Sequence, residues 1–221
     1  MTGSSALRSW LLAFALCVVA VIFSVAYVDR PVADYVHTNL LQLVFFEVIG
    51  DALGPLAAVV VLGLLLLLGS ACWVATGRRL GAWTGTPLLC SWSLVWALAA
   101  DVTLKRIFGR AEPEFWTGAS ESAGHLGVYG FRLLRGHSGF ESFPSGTMAV
   151  AASILSVLWI LVPRFRVVWA LVFAFVAMGL IVTNSHFVAD VIAGGFLGAF
   201  IGWMTVRLLG GRDAGAPPVA P

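Results

Sequence analysis

His186 and Asp190 stand four residues apart in the segment His186-Phe187-Val188-Ala189-Asp190. On a helix that spacing puts an imidazole and a carboxylate on one face. The carboxylate can then fix the ring's tautomer and leave its far nitrogen free for nucleophilic or base chemistry; a plain helix-capping pair has the same spacing. A second segment, Ser142-Phe143-Pro144-Ser145-Gly146-Thr147, runs straight into an apolar stretch. Pro and Ser before such a run mark a helix start, whose free N–H groups and dipole suit an anion such as phosphate. A third segment opens Lys105-Arg106-Ile107-Phe108-Gly109-Arg110 and holds the single lysine of a chain with twelve arginines. Lys105 can meet an anion, or it can anchor a helix end at a membrane surface.

These segments belong to a chain whose composition excludes an ordinary soluble domain: of 221 residues, 60% are apolar and 11% charged, and the mean hydropathy is +0.96. Six apolar stretches can cross a bilayer, at about 11–28, 55–74, 83–104, 145–162, 167–183 and 188–208. The first follows Arg8 as a signal peptide would, but it runs to Asp29-Arg30-Pro31 without a small-residue cleavage site and reads as a helix. Arg78 and Arg79 lie between the second and third stretches, Arg164 and Arg166 between the fourth and fifth, with no acid beside them. Those connections are expected in the cytoplasm together with both termini. The polar segments 105–143 and 184–190 then share the outer face and can meet above the bundle. Trp10, Trp73, Trp83, Trp159, Trp169 and Trp203 fall near span ends on the cytoplasmic side, as an aromatic belt would.

Residues 29–54 mix Val36, Leu40, Leu43 and Phe46 with Asp34, His37 and Glu47, a pattern that fits a helix lying on the outer membrane surface or ordinary packing. Gly194, Gly198 and Gly202, at four-residue spacing in the last span, allow a neighbouring helix to approach closely. The expected fold is all-α, an integral-membrane six-helix bundle with a polar extracytoplasmic loop cap. It forms one domain over 1–209, and a Gly-, Ala- and Pro-rich tail over 210–221 has too little apolar surface to pack. Cys17, Cys72 and Cys90 lie inside apolar stretches without metal-ligand spacing. A net charge of +2 with no basic run argues against nucleic-acid binding.

Taken in order, Lys105 with Pro113, Pro144-Ser145-Gly146, and His186 with Asp190 resemble the type 2 phosphatidic acid phosphatase family. Its signature is Lys-x6-Arg-Pro, then Pro-Ser-Gly-His, then Ser-Arg-x5-His-x3-Asp, and the resemblance covers about 105–195. It implies that His186 attacks phosphorus to give a phosphohistidine, that Asp190 orients it, and that Lys105, Ser145 and Gly146 hold the phosphate. It implies no metal or other cofactor. The implied substrate is a lipid phosphate or diphosphate, and the implied setting is a bacterial inner membrane with the site facing the periplasm or exterior.

The chain departs from the signature at several positions. The arginine of the first motif falls at Glu112, the Ser-Arg of the third at Gly179 and Leu180, and the histidine of the second at Thr147. A carboxylate about 4 Å from a phosphate is repelled by roughly 4 kcal/mol per charge pair at an effective dielectric near 20, so Glu112 is expected to point away. Arg110 is the best replacement phosphate ligand, with Arg106, Arg132 and Arg135 as further candidates. Thr147 occupies the general-acid position, but its hydroxyl barely ionises near neutral pH, and a general acid contributes roughly 10²- to 10⁴-fold. Reduced activity is expected unless His137 or His125 reaches in, or unless the leaving group needs little protonation, as in a polyprenyl diphosphate. A second reading is a silent relative that binds a lipid phosphate or a protein partner. A transporter would carry ionisable groups within its spans, and only Asp101 lies in one, near its outer end.

Overall fold

The computed structural model describes residues 3–40, 63, 82–117, 129–134 and 139–209. The expected second span (55–74), Arg78, Arg79, Trp73, Cys72, Arg135, His125, His137 and the tail 210–221 lie outside the described residues.

Every extended element among the described residues is helical, and the chain is an all-α membrane protein. Helix α1 (Gly3–Phe23) passes through a π turn (Ser24–Val28) into α2 (Asp29–Asn39). Helix α3 covers Ala82–Phe108 and α4 covers Pro113–Thr117; α5 (Gly146–Leu161), a 3-10 turn (Pro163–Phe165), α6 (Arg166–Val182) and α7 (Val188–Leu209) follow. Four segments are long and apolar enough to cross a membrane: Ser5–Asn39, Gly85–Phe108, Pro163–Val182 and Val188–Leu209. The remaining described stretch, α5, is an apolar helix of 16 residues, about 24 Å at 1.5 Å per residue.

That shorter helix is the centre of the bundle. Met148, Ala149, Val150, Ala151, Ala152, Ser153 and Val157 are all buried on it, whereas α1 and α6 keep Leu12, Leu16, Ile22, Val167, Leu171 and Met178 exposed. Apolar side chains on the outside are what a lipid-facing helix requires. The glycine stripe expected to admit a close neighbour meets α5. A Cβ on Gly194, Gly198 or Gly202 would fall 2.4, 2.1 or 2.3 Å from the carbonyl oxygens of Ser145, Ala149 and Ser153 respectively. Backbone therefore rests on backbone, and a hydrogen bond from Ser156 Oγ to the Ala199 carbonyl (3.0 Å) fastens the same seam.

The seam has a functional consequence, because it fixes the start of α5 against the start of α7. The Ser145 N–H donates to the Asp190 carbonyl at 3.0 Å. The C-terminus of α3 arrives at the same end of the bundle, and Arg164, Arg166 and Arg207 lie at the other. There, the Arg207 guanidinium stands 5.3 Å over the Trp203 ring and Arg166 stands 5.5 Å over Trp159. Trp10 packs 5.2 Å from Trp203, so these aromatic residues do cluster at the basic end.

Helix α2 is more than a surface helix. It continues the first span without a break, and its inward residues Asp29, Ala33 and Val36 are buried. The Trp116 Nε1–H of α4 donates to Asp34 at 2.8 Å. A continuous helix of 35 residues is about 52 Å long, well over the roughly 30 Å of hydrocarbon. Its last turns accordingly build the polar end of the molecule.

Candidate phosphate site at the polar end of the bundle

Helix α7 begins just after His186, and Asp190 in its first turn accepts a hydrogen bond from the Phe187 N–H at 3.0 Å. This is the reach-back half of a capping box, so Asp190 caps the start of α7. His186 Nδ1 lies 3.9 Å from Asp190 Oδ2, longer than a hydrogen bond, and has no hydrogen-bond partner among the described residues. A contact of this length can tighten when a ligand arrives.

Asp190 is fully buried and otherwise well satisfied. Its Oδ2 also accepts from Ser142 Oγ at 2.6 Å, and its Oδ1 accepts from Arg110 Nη1. Arg110 is itself fully buried, and its second terminal nitrogen binds Asp29 Oδ2 and reaches the Tyr129 hydroxyl at 3.1 Å. Asp29 in turn accepts from Ser24 Oγ (2.8 Å) and from the Ala189 N–H (3.0 Å). The rings of Phe187, Phe131 and Tyr129 surround the guanidinium at 4.5, 5.1 and 5.4 Å. Burial alone would lower the Arg110 pKa, but Asp190 and Asp29 reverse this and hold it above the usual value. Burial raises the Tyr129 phenol, whose O–H donates to the Val25 carbonyl at 2.7 Å.

Arg110, expected as the leading replacement phosphate ligand, is thus placed between two carboxylates and away from solvent. The π turn explains part of this. It is the place where α1 changes phase, and it presents Ser24 and the Val25 carbonyl to Asp29 and Tyr129; single π turns inside α-helices are frequent at functional sites. Arg106 and Arg132 are exposed, and the Arg132 guanidinium covers the Phe140 ring at 4.4 Å.

On the other side of His186, Ser145 caps α5, its Oγ accepting from the Met148 N–H at 3.3 Å. Gly146 and Thr147 follow in the first turn, and the helix end there offers unpaired N–H groups. Lys105, from the last turn of α3, stands over this end with 22% of its side chain exposed and pairs with Asp101 Oδ2 at 3.3 Å. Asp101 lies against Gly146: a Cβ on that glycine would stand 2.5 Å from Oδ2. An ionised Asp101 would repel a phosphate at this helix end just as Glu112 would. Thr147 is half-buried.

The positions that carry Ser-Arg in the related signature have another use here. Gly179 and Leu180 are buried, Leu180 packs with Met148, Val176 and Val191, and its carbonyl accepts from the Ser185 and His186 N–H groups at 3.2 Å each. Leu180 therefore holds the turn that presents His186. Asp29, Ser142 and Tyr129 are site residues that sequence reasoning missed, since no short motif links them; the only hint was a charge at the end of the first span.

An apolar cavity of about 930 Å³ opens beside this end of the bundle. Val18 and Ile22 of α1, Leu104 and Phe108 of α3 and Leu197 of α7 line it, and Pro144 closes it next to Ser145.

Comparison with known proteins agrees with the motif pattern. Lipid A 1-phosphatase of Rhizobium johnstonii is 33% identical over 102 residues, 46% of this chain and 39% of that protein. Lipid A 1-phosphatase of Rhizobium etli is 33% identical over 103 residues, 47% of this chain and 40% of that protein. The chain thus matches about two fifths of the length of these curated relatives. No solved structure matches. Residues 87–213, which include the cap of α5, the turn at His186 and the buried Arg110, match the family described as the PAP2 superfamily. With more than half of its 221 residues inside that match, the chain belongs to the PAP2 superfamily.

Proposed function

We propose that this protein is an integral-membrane lipid phosphatase that works through a phosphohistidine on His186. The observation that carries the reading is the juxtaposition at one bundle end of His186, the capped start of α5 and Lys105. A phosphate at the α5 terminus would meet the N–H groups of Gly146 and Thr147 and the Lys105 ammonium. His186 would attack phosphorus with its far nitrogen, and its Nδ1–H would close onto Asp190. Arg110 with Asp29 and Asp190 gives a buried group one negative charge in excess. That surplus favours the positive charge that develops on the imidazole ring as the N–P bond forms. In this reading Arg110 is a positioning residue, because it holds Asp190 and not the phosphate.

The apolar cavity beside Pro144 suits the acyl or prenyl chains of a lipid whose headgroup lies at Ser145. The names of the two relatives bring lipid A 1-phosphate forward as a candidate substrate beside a polyprenyl diphosphate. The basic residues at the opposite end favour an orientation with the site on the outer face of a bacterial inner membrane.

The reading is tested with purified protein in detergent and a panel of lipid mono- and diphosphates, with released phosphate as the measure. His186→Ala is expected to abolish release from every substrate the wild type accepts. Undiminished release by that variant would remove His186 as the nucleophile. Retained lipid-phosphate binding with no wild-type turnover would favour the silent-relative reading, which the substitution at Thr147 supports.

A further inference from the structure

Asp101 belongs to none of the sequence motifs and has no task in the chemistry above. Yet it is 5% exposed, and it sits where the phosphate would be held. A Cβ on Gly146 would lie 2.5 Å from its Oδ2 and 3.1 Å from its Oδ1, so the carboxylate rests directly on the first turn of α5. Oδ2 is paired with Lys105. Oδ1 is buried and has no hydrogen-bond partner among the described residues. An orphaned buried oxygen is uncommon and calls for a reason, such as a group that arrives during function. The charged and titratable groups facing Asp101 are Lys105 on its own helix, His186 from the turn before α7 and Glu141 from the segment before α5. The carboxylate therefore touches the lysine and the helix terminus and lies within electrostatic reach of His186.

We propose that Asp101 is the general acid of this site, donating a proton from its carboxyl group to the leaving oxygen of a lipid phosphate in place of the histidine that Thr147 replaces. Thr147 directly follows Gly146, so Asp101 and the position of the missing histidine belong to the same first turn of α5. When a phosphate arrives, Lys105 turns to it, and a second anion at one helix end favours a neutral Asp101. A single proton then removes the repulsion between carboxylate and phosphate and serves the leaving group. In the first step the His186 far nitrogen forms a bond to phosphorus, the P–O bond to the lipid breaks, and the Asp101 proton passes to the departing oxygen. In the second, water attacks the phosphohistidine, the N–P bond breaks, inorganic phosphate leaves carrying the water's protons, and solvent returns a proton to Asp101. The inference rests on the phosphohistidine reading.

The test compares an alkyl lipid phosphate, whose alkoxide needs a proton, with p-nitrophenyl phosphate, whose nitrophenolate leaves without one. Asp101→Asn in the full chain is expected to slow the alkyl substrate by roughly 10²- to 10⁴-fold and the aryl substrate far less. Adding Thr147→His to Asp101→Asn should restore much of the alkyl rate. Should Asp101→Asn fail to fold, the wild type still decides: its alkyl kcat must fall with rising pH along an ionisation missing from the aryl profile. Equal losses on both substrates, no loss on the alkyl one, or superimposable pH profiles would overturn the proposal. Wild-type activity that His186→Ala abolishes and Asp101→Asn leaves intact overturns the role of Asp101 alone. A wild type that releases no phosphate from either substrate overturns the phosphohistidine reading and this role with it.

Discussion

Two clusters of acid and base flank His186, and they are built in opposite ways. In one, Arg110 is locked between Asp29 and Asp190, each carboxylate oxygen accepts at least one hydrogen bond, and all three side chains are fully buried. In the other, Asp101 and Lys105 share one contact of 3.3 Å, the lysine remains partly exposed and one carboxylate oxygen is unpartnered. The first network satisfies every carboxylate oxygen and leaves only Arg110 Nε without a partner, which holds its surroundings rigid, whereas the second leaves a carboxylate oxygen open to an arriving group. The contrast assigns the first cluster to holding the nucleophile and the second to meeting the substrate. Both end on backbone of α5 or α7, and the glycine seam keeps those two helix starts in register.

The largest way to break this contrast is Arg110→Met. It leaves Asp29 and Asp190 buried without their cation, and removing one partner from a buried ion pair costs about 3–5 kcal/mol. Thermal unfolding in detergent should show a large fall in midpoint. A midpoint unchanged from wild type would mean that the cluster does not hold the cap together.

Lys105→Gln sharpens the contrast from the other side. The lysine's partner is a single, incompletely bound carboxylate, so the unfolding midpoint should stay near that of the wild type. The loss of one charge-assisted phosphate contact, about 1.5–3 kcal/mol, should instead raise KM by roughly 10- to 100-fold. Steady-state kinetics with a lipid phosphate read this directly. A fall in stability as large as that of Arg110→Met, with unchanged KM, would erase the distinction between the clusters.

The sequence made each cluster legible only in part. Lys105, Ser145, Gly146, His186 and Asp190 announce themselves through short spacings, because helix starts and turns are local chemistry. The glycine stripe on α7 could be read for the same reason, since a period of four places small residues on one face. Asp29 could not be found this way. It meets Arg110 from 81 residues away, and nothing local distinguishes it from an ordinary charge at a span end. Arg110 lies close to the motif and carries the right charge, which points to phosphate; only the packing of α2 against the cap shows that two carboxylates already hold it. Asp101 was visible as a lone acid within a span, but its meaning depends on touching Gly146, a contact between helices that no spacing encodes. The four long apolar spans among the described residues were legible from hydropathy, whereas the continuation of the first span into α2 depends on tertiary packing against α4.

The smallest effect comes from Tyr129, which touches the locked cluster only at its rim. Tyr129→Phe removes the bond to the Val25 carbonyl and the contact with Arg110, a net loss of about 1 kcal/mol at neutral pH. The pH dependence carries more information. Burial raises the phenol above its ordinary value of 10.0, so the folded state favours the protonated form. The stability contributed by Tyr129 is therefore fully present below pH 10 and is lost as pH rises from there through the raised folded value. Unfolding midpoints of wild type and Tyr129→Phe, measured from pH 8 to 11, should converge at the alkaline end because only the wild type has this phenol to ionise. Parallel curves would show that Tyr129 is not coupled to the cluster, and the locked region would then end at Arg110.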